Sequence, residues 1–192
     1  MARLLPYAHG PCAHFRTPLF LEAPVTNPGT RDLSERVESR RHGEIGASIV
    51  DGGLLQFLVD SEIRKAQRLR YCVSLIRMAP DSPLEETAGL SEPGVAERMA
   101  RNLRSTDVIM CPPSTFTLLL VDADVPSLPS IIGRLTTALG IGWSAGGSCY
   151  PRTATRIEDL LGQAEDQMLT AQRDGGNRLH LPTRQHGRLR PD

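Results

Sequence analysis

Hydrophobic and polar positions along this chain change period several times, and the changes mark its elements. From Asp51, the segment GLLQFLVDSEIRKAQRLRY places Leu54, Leu55, Leu58, Ile63, Ala66 and Leu69 at helical spacing. CVSLIRMA then reads as a short strand ended by Pro80, and PDSPLEETAGLSEPG has loop composition. GVAERMARNLRST predicts a helix with Val95, Met99 and Leu103 on one face. DVIMC and TFTLLLV predict two strands around a turn. The stretch from Val125 to Leu139 predicts an amphipathic helix with Ile131, Ile132, Leu135 and Leu139 inward. IGWSAGGSCY reads as a strand with several small residues. TRIEDLLGQAEDQMLTAQRDGG reads as a helix that stops at Gly175 and Gly176, as a helix C-terminus should.

Helices interleaved with strands around one hairpin indicate an α/β sandwich with a mixed sheet. Ahead of it, residues 1–50 carry prolines, glycines and the charged run RDLSERVESRRHGE. They read as an irregular or disordered segment with a short helix over Asp32–Arg41. The folded domain is expected over 51–181, and 182–192 form a basic tail, read as solvated. No internal repeat is present.

Composition narrows the partners. The chain has 192 residues and balances 22 basic against 22 acidic side chains, so no general affinity for nucleic acid or an anionic membrane follows. Aromatic residues make up 4%, too few for a base-stacking platform. No apolar stretch approaches a membrane span, and the N-terminus, broken by Pro6, Gly10 and Pro11, lacks a secretory core. Cys12, Cys72, Cys111 and Cys149 form no CxxC pair, which reads as reduced thiols in a cytoplasmic protein. His9, Cys12 and His14 lie close together but lack a fourth ligand, so no metal site is expected. A phosphate-binding glycine loop and a Ser/His/Asp set are absent too.

Four phrases carry a resemblance. SEIRKAQRLRYCVSLIRM, LRSTDVIMCPPSTFTLLLVDAD, WSAGGSCYP and AEDQMLTAQRDGGNRL stand in the order of a basic entry helix and "-SL-" strand, an "LR-x-x-D" hairpin, an "S-x-G-x-A-x-x-P" strand and an "A-D-x-A-L-Y-x-A-K-x-x-G-R-N" closing helix. Together they resemble the GGDEF domain of bacterial diguanylate cyclases, which join two GTP molecules into cyclic di-GMP, over 51–181. The resemblance implies a mixed, mainly antiparallel sheet of about five strands flanked by helices.

It also implies lost chemistry. The family's glycine-and-acid turn falls on Pro112, Pro113, Ser114, Thr115 and Phe116, of which only the phenylalanine matches. Prolines cannot approach a nucleotide as glycines do, and Ser114 and Thr115 offer no carboxylate to a divalent cation. One residue is missing between Asp107 and the turn. The family's metal aspartate falls on Ala79, with Asp81 at the place of its second, and its phosphate-binding lysine falls on Gln172. Phosphoryl transfer rests on metals and cationic clamps, so the resemblance implies a pseudo-enzyme with no cofactor.

What remains is Arg104 and Asp107, matching the family's "R-x-x-D" inhibitory site for cyclic di-GMP, with Arg134 where a further arginine stands. A guanidinium suits phosphate oxygens and the O6/N7 edge of guanine; a carboxylate suits the guanine N1 and N2 hydrogens. An exposed ion pair of little energetic weight is the plain alternative for such a spacing. The expected role is a cyclic di-GMP receptor, with a protein partner or a homodimer as the next link. A ligand-free interaction scaffold docking through the Leu54–Tyr71 helix stays open, as does residual cyclase activity or GTP binding.

Overall fold

The computed structural model of the chain describes residues 46–84, 91–111 and 115–182. The Pro112–Pro113–Ser114 turn, the His9/Cys12/His14 group, the Asp32–Arg41 helix and the tail beyond Pro182 lie outside the described residues.

A strand, β1, spans Ser48–Val50, three residues ahead of the start at Asp51 that hydrophobic spacing suggests. Asp51 then caps helix α1, Gly52–Leu69, by accepting the Leu54 amide at 3.0 Å. The inward stripe of α1 is Leu55, Val59, Ile63 and Ala66. Leu69, expected inside, is 71% exposed. It is the last helical residue before Arg70, whose left-handed backbone (φ 60°) ends the helix, and residues 67–70 are all exposed, so the final turn overhangs the sheet.

Strand β2 (Val73–Pro80) follows, then helix α2 (Glu92–Arg101), capped by Ser91. Helix α2 buries Val95 and Met99 as the spacing predicts, but it ends at Arg101 rather than Thr106. The Asn102 side chain folds back on the Arg98 carbonyl at 2.9 Å and closes the last turn. Strands β3 (Val108–Met110) and β4 (Phe116–Val121) form the hairpin. A 3₁₀ turn, Val125–Ser127, leads into α3, Leu128–Leu139, which ends on left-handed Gly140. Strand β5 (Trp143–Tyr150), helix α4 (Ile157–Arg173) and strand β6 (Arg178–His180) complete the fold.

The sheet has six strands in the order β1-β3-β4-β2-β5-β6, one more than expected. Strands β1 and β6 are three residues each, too short to leave a periodic signature. The four inner strands pair antiparallel, and the two edge strands pair parallel with β3 and β5. The strands alternate faces, so two cores form. One joins Ile76, Met78, Leu118 and Leu120 to α2 and α3, with Phe116 edge-on to Trp143 at 5.6 Å. The other joins Val73, Leu75 and Leu119 to α1 and to Leu160 of α4. No helix among the described residues is long and apolar enough to cross a membrane.

Helix α4 lies directly on β5 at Gly146. A Cβ there would sit 2.0 Å from the Met168 nitrogen and 2.2 Å from the Ala164 carbonyl oxygen, both backbone atoms with no freedom to yield. The small residues read in this strand therefore have a packing cause. Gly146→Ala should destabilise the protein at or beyond the upper end of the ~1–3 kcal/mol typical of overpacking, lowering the urea midpoint at unchanged slope. Gly162, on the same helix with nothing within 4 Å of its added Cβ, is the contrast. Gly162→Ala should stabilise by roughly 0.5–1 kcal/mol through helix propensity alone. Equal effects at the two glycines would overturn the close-approach account.

Candidate functional site

The four residues Arg104–Asp107 form a turn between α2 and β3, not the last turn of a helix. The Asp107 amide donates to the Arg104 carbonyl at 3.0 Å. The Asp107 carboxylate closes the turn from the other side: one oxygen accepts the Arg104 amide at 2.9 Å, the other accepts the Val121 amide at 3.1 Å. Its backbone carbonyl accepts the Ser48 amide at 3.1 Å, so the same residue receives β1 at the sheet edge. Asp107 is 4% exposed. Burial pushes its carboxyl above the ordinary range, against the two backbone amides and the charges of Arg104 and Arg134, which pull it down.

The fold therefore brings together the three residues read from the sequence, in unequal roles. Arg104 and Arg134 are exposed, and no carboxylate lies within ion-pair distance of either guanidinium among the described residues. Arg134 reaches from α3 to the end of α2, where its Nη2 donates to the Asn102 carbonyl at 3.0 Å. Asp107 lies beneath them as the acceptor that fixes the turn. Arg104 and Arg134 thus offer two exposed cationic donors near Asp107, a kind of group suited to phosphate oxygens.

The other end of the sheet holds the positions where the resemblance implies metal chemistry. Ala79 is buried in β2 opposite Ser144. Asp81 is committed within the fold: one oxygen accepts the Ser144 hydroxyl at 2.5 Å, the other accepts the Asn177 amide at 2.7 Å, and its own amide donates to Gly142. Gly176, at φ 75°, lies so close that a Cβ would meet the Asp81 carboxylate at 2.8 Å. This junction ties the end of β2 to the turns before β5 and after α4, and nothing in the local sequence announces it. Gln172 is exposed on α4, and Phe116 is fully buried at the start of β4. Two residues inward from Ala79, Arg77 lies 2.7 Å from Glu165 of α4, with its N–H not aligned for a hydrogen bond, and donates from Nη1 to Thr117 at 3.2 Å. That pair, too, escaped sequence reading, since its partners are far apart in the chain. Among the described residues, no group of three or more His, Cys, Asp or Glu side chains is placed to hold a metal ion.

An open cavity of about 540 Å³ lies between the β5–α4 loop and α4, lined by Arg152, Thr153, Glu158, Asp159, Gln163 and Asp166 among others. It shares no residue with either place.

This topology is that of a GGDEF domain. The chain superposes on the GGDEF domain of YfiN (TpbB) from Pseudomonas aeruginosa with a TM-score of 0.62 at 16% identity, over 69% of this chain and 96% of that one. An active GGEEF domain of a diguanylate cyclase from Vibrio cholerae gives 0.59 at 15% identity, over 73% and 99%. The GGDEF domain of DgcB from Caulobacter crescentus, solved in complex with c-di-GMP, gives 0.58 at 12% identity, over 70% and 89%. No protein-family model and no curated protein matches the sequence. At these identities the likeness is one of fold.

Asp107→Asn should cost about 1–3 kcal/mol, because the amide nitrogen would face one of two backbone donors. The cost should also depend on pH. A carboxyl raised in the folded state binds its proton more tightly there than in the unfolded chain. Its contribution is greatest below the ordinary carboxylate range and is lost as the pH rises through the folded pKa. Urea midpoints from about pH 4 to 7 should therefore show the wild type gaining on D107N as the pH falls. A gap independent of pH would mean that the carboxyl is not raised.

Proposed function

We propose that this chain is a non-catalytic GGDEF-type signalling domain that binds cyclic di-GMP through Arg104 and Arg134, acting in the cytoplasm of a bacterium through a partner protein or a second copy of itself. The observation that carries this reading is the pair of exposed guanidiniums, one from the α2–β3 turn and one from α3, set over the buried Asp107. Two phosphates are the constant feature of a cyclic dinucleotide, and paired guanidiniums are their natural donors. Loss of cyclase chemistry is supported by the methyl of Ala79 where the family's metal aspartate falls. The internal commitment of Asp81 and the uncharged amide of Gln172 support it further.

Calorimetric titration should give micromolar or tighter binding of cyclic di-GMP, weakened roughly tenfold or more by Arg104→Ala, the size expected for losing a charge-assisted hydrogen bond. Incubation with GTP and magnesium should give no cyclic product. Absence of binding, or binding unchanged in R104A, would remove the receptor reading.

The scaffold reading is favoured by one observation, Phe57 of α1, which is 63% exposed. A partner captured equally by the wild type and by R104A, but lost with Phe57→Ser, would support it.

A further inference from the structure

The cavity of about 540 Å³ beside α4 is walled by residues 151–155 on one side and by the helix on the other. Gln163 joins the two walls, donating from Nε2 to the Thr153 carbonyl at 3.1 Å. Glu158, Asp159 and Asp166 supply carboxylates against the guanidinium of Arg152. Glu158 lies 3.7 Å from Arg156, but no base among the described residues is within ion-pair distance of Asp159 or Asp166. Nor do these acids converge on one point, since no group of three or more among the described residues is placed to hold a metal ion. Carboxylates spread along a groove suit an extended cationic chain better than a single ion.

Such a chain leaves the fold close by. The edge strand β6 runs parallel to β5, with His180 level with Gly146. Strand β5 continues to Tyr150 and into the 151–155 wall. A chain continuing past Pro182 in the same direction therefore heads for the cavity mouth. Pro151 stands five residues beyond Gly146, ~16 Å at the rise of a strand. Helix α4 turns its acidic side to β6. Asp159, Gln163, Asp166 and Thr170 follow one another at three- and four-residue spacing and share one side. The next position of that stripe, Asp174, places its carboxylate 3.2 Å from the His180 Nε2 of β6. Residues 183–192 carry Arg184, His186, Arg188 and Arg190 against one acid, Asp192. A segment of that length reaches up to ~33 Å.

We propose that the basic segment 183–192 docks within its own chain into this cavity, its arginines meeting Asp159 and Asp166 along the β6-facing side of α4. A single exposed ion pair carries little weight. Several on one tether carry more, because a short link holds the cations at roughly millimolar effective concentration. The contact is electrostatic and weakens with salt. Any basic partner reaching this side of α4 competes with it.

Trypsin cleavage of the full chain after Arg184 and Arg188, followed by mass spectrometry, tests this against a synthetic peptide of residues 179–192. At low salt the chain should be cut about tenfold or more slowly than the peptide, since docking leaves only the released fraction open to the protease. The protection should vanish in ~0.5 M salt and in the double variant Asp159→Asn with Asp166→Asn. Cleavage after Arg173 and Arg178, inside the fold, should stay slow throughout, which separates undocking from unfolding. Wild-type cleavage at the peptide rate would overturn the proposal. So would protection that persists in the double variant, which would seat the segment elsewhere. Protection that rises with protein concentration would overturn it too, in favour of docking on a second copy.

Discussion

The fold depends on β2 being held on both edges and covered on both faces. Its eight residues pair with β4 on one side and β5 on the other. Ile76 and Met78 enter the core under α2 and α3, while Val73 and Leu75 enter the core under α1 and α4. A strand so enclosed tolerates polar side chains only where partners wait for them. Ser74 finds the Ala123 carbonyl at 2.7 Å, and Arg77 finds Thr117 and Glu165. The same demand for closure sets Gly146 against α4, where two backbones meet without a side chain between them. Everything exposed at the two ends of the sheet is positioned by this layer.

At one end, a single residue ties several segments together. Asp107 binds the Arg104 amide, the Val121 amide and, through its carbonyl, the Ser48 amide, so one residue ties the turn to β4 and to the edge strand β1. Three hydrogen bonds at Asp107 fix the turn that carries Arg104. The carboxylate itself is buried, at 4% exposure. The other end tells a similar story with Asp81, which serves Ser144 and Asn177. In both places an acidic side chain accepts hydrogen bonds from inside the fold, Asp107 from two backbone amides and Asp81 from one amide and one hydroxyl.

The chain's own pattern determined the elements and their order. Helical and strand periods located α1, α2, α3 and α4 and the four inner strands, because each buries a face and burial imposes a period. Four short phrases in sequence were enough to mark the GGDEF-type arrangement, and Arg104, Asp107 and Arg134 were legible as a set from their places around the hairpin. The edge strands were not legible, since each is three residues long and, unlike the equally short β3, has no second apolar run across a turn to mark it as half of a hairpin. The overhang at Leu69 and the early end of α2 depended on a left-handed cap at Arg70 and on the Asn102 side chain. Nor did the sequence reveal which of the three site residues face outward. An RxxD spacing looks the same whether its carboxylate meets solvent or two backbone amides. Only tertiary structure decided that, by bringing the Val121 amide, fourteen residues further along the chain, against the Asp107 side chain. Local chemistry is written in local sequence; the partner that consumes a polar group arrives from elsewhere in the fold, and desolvation then fixes its role.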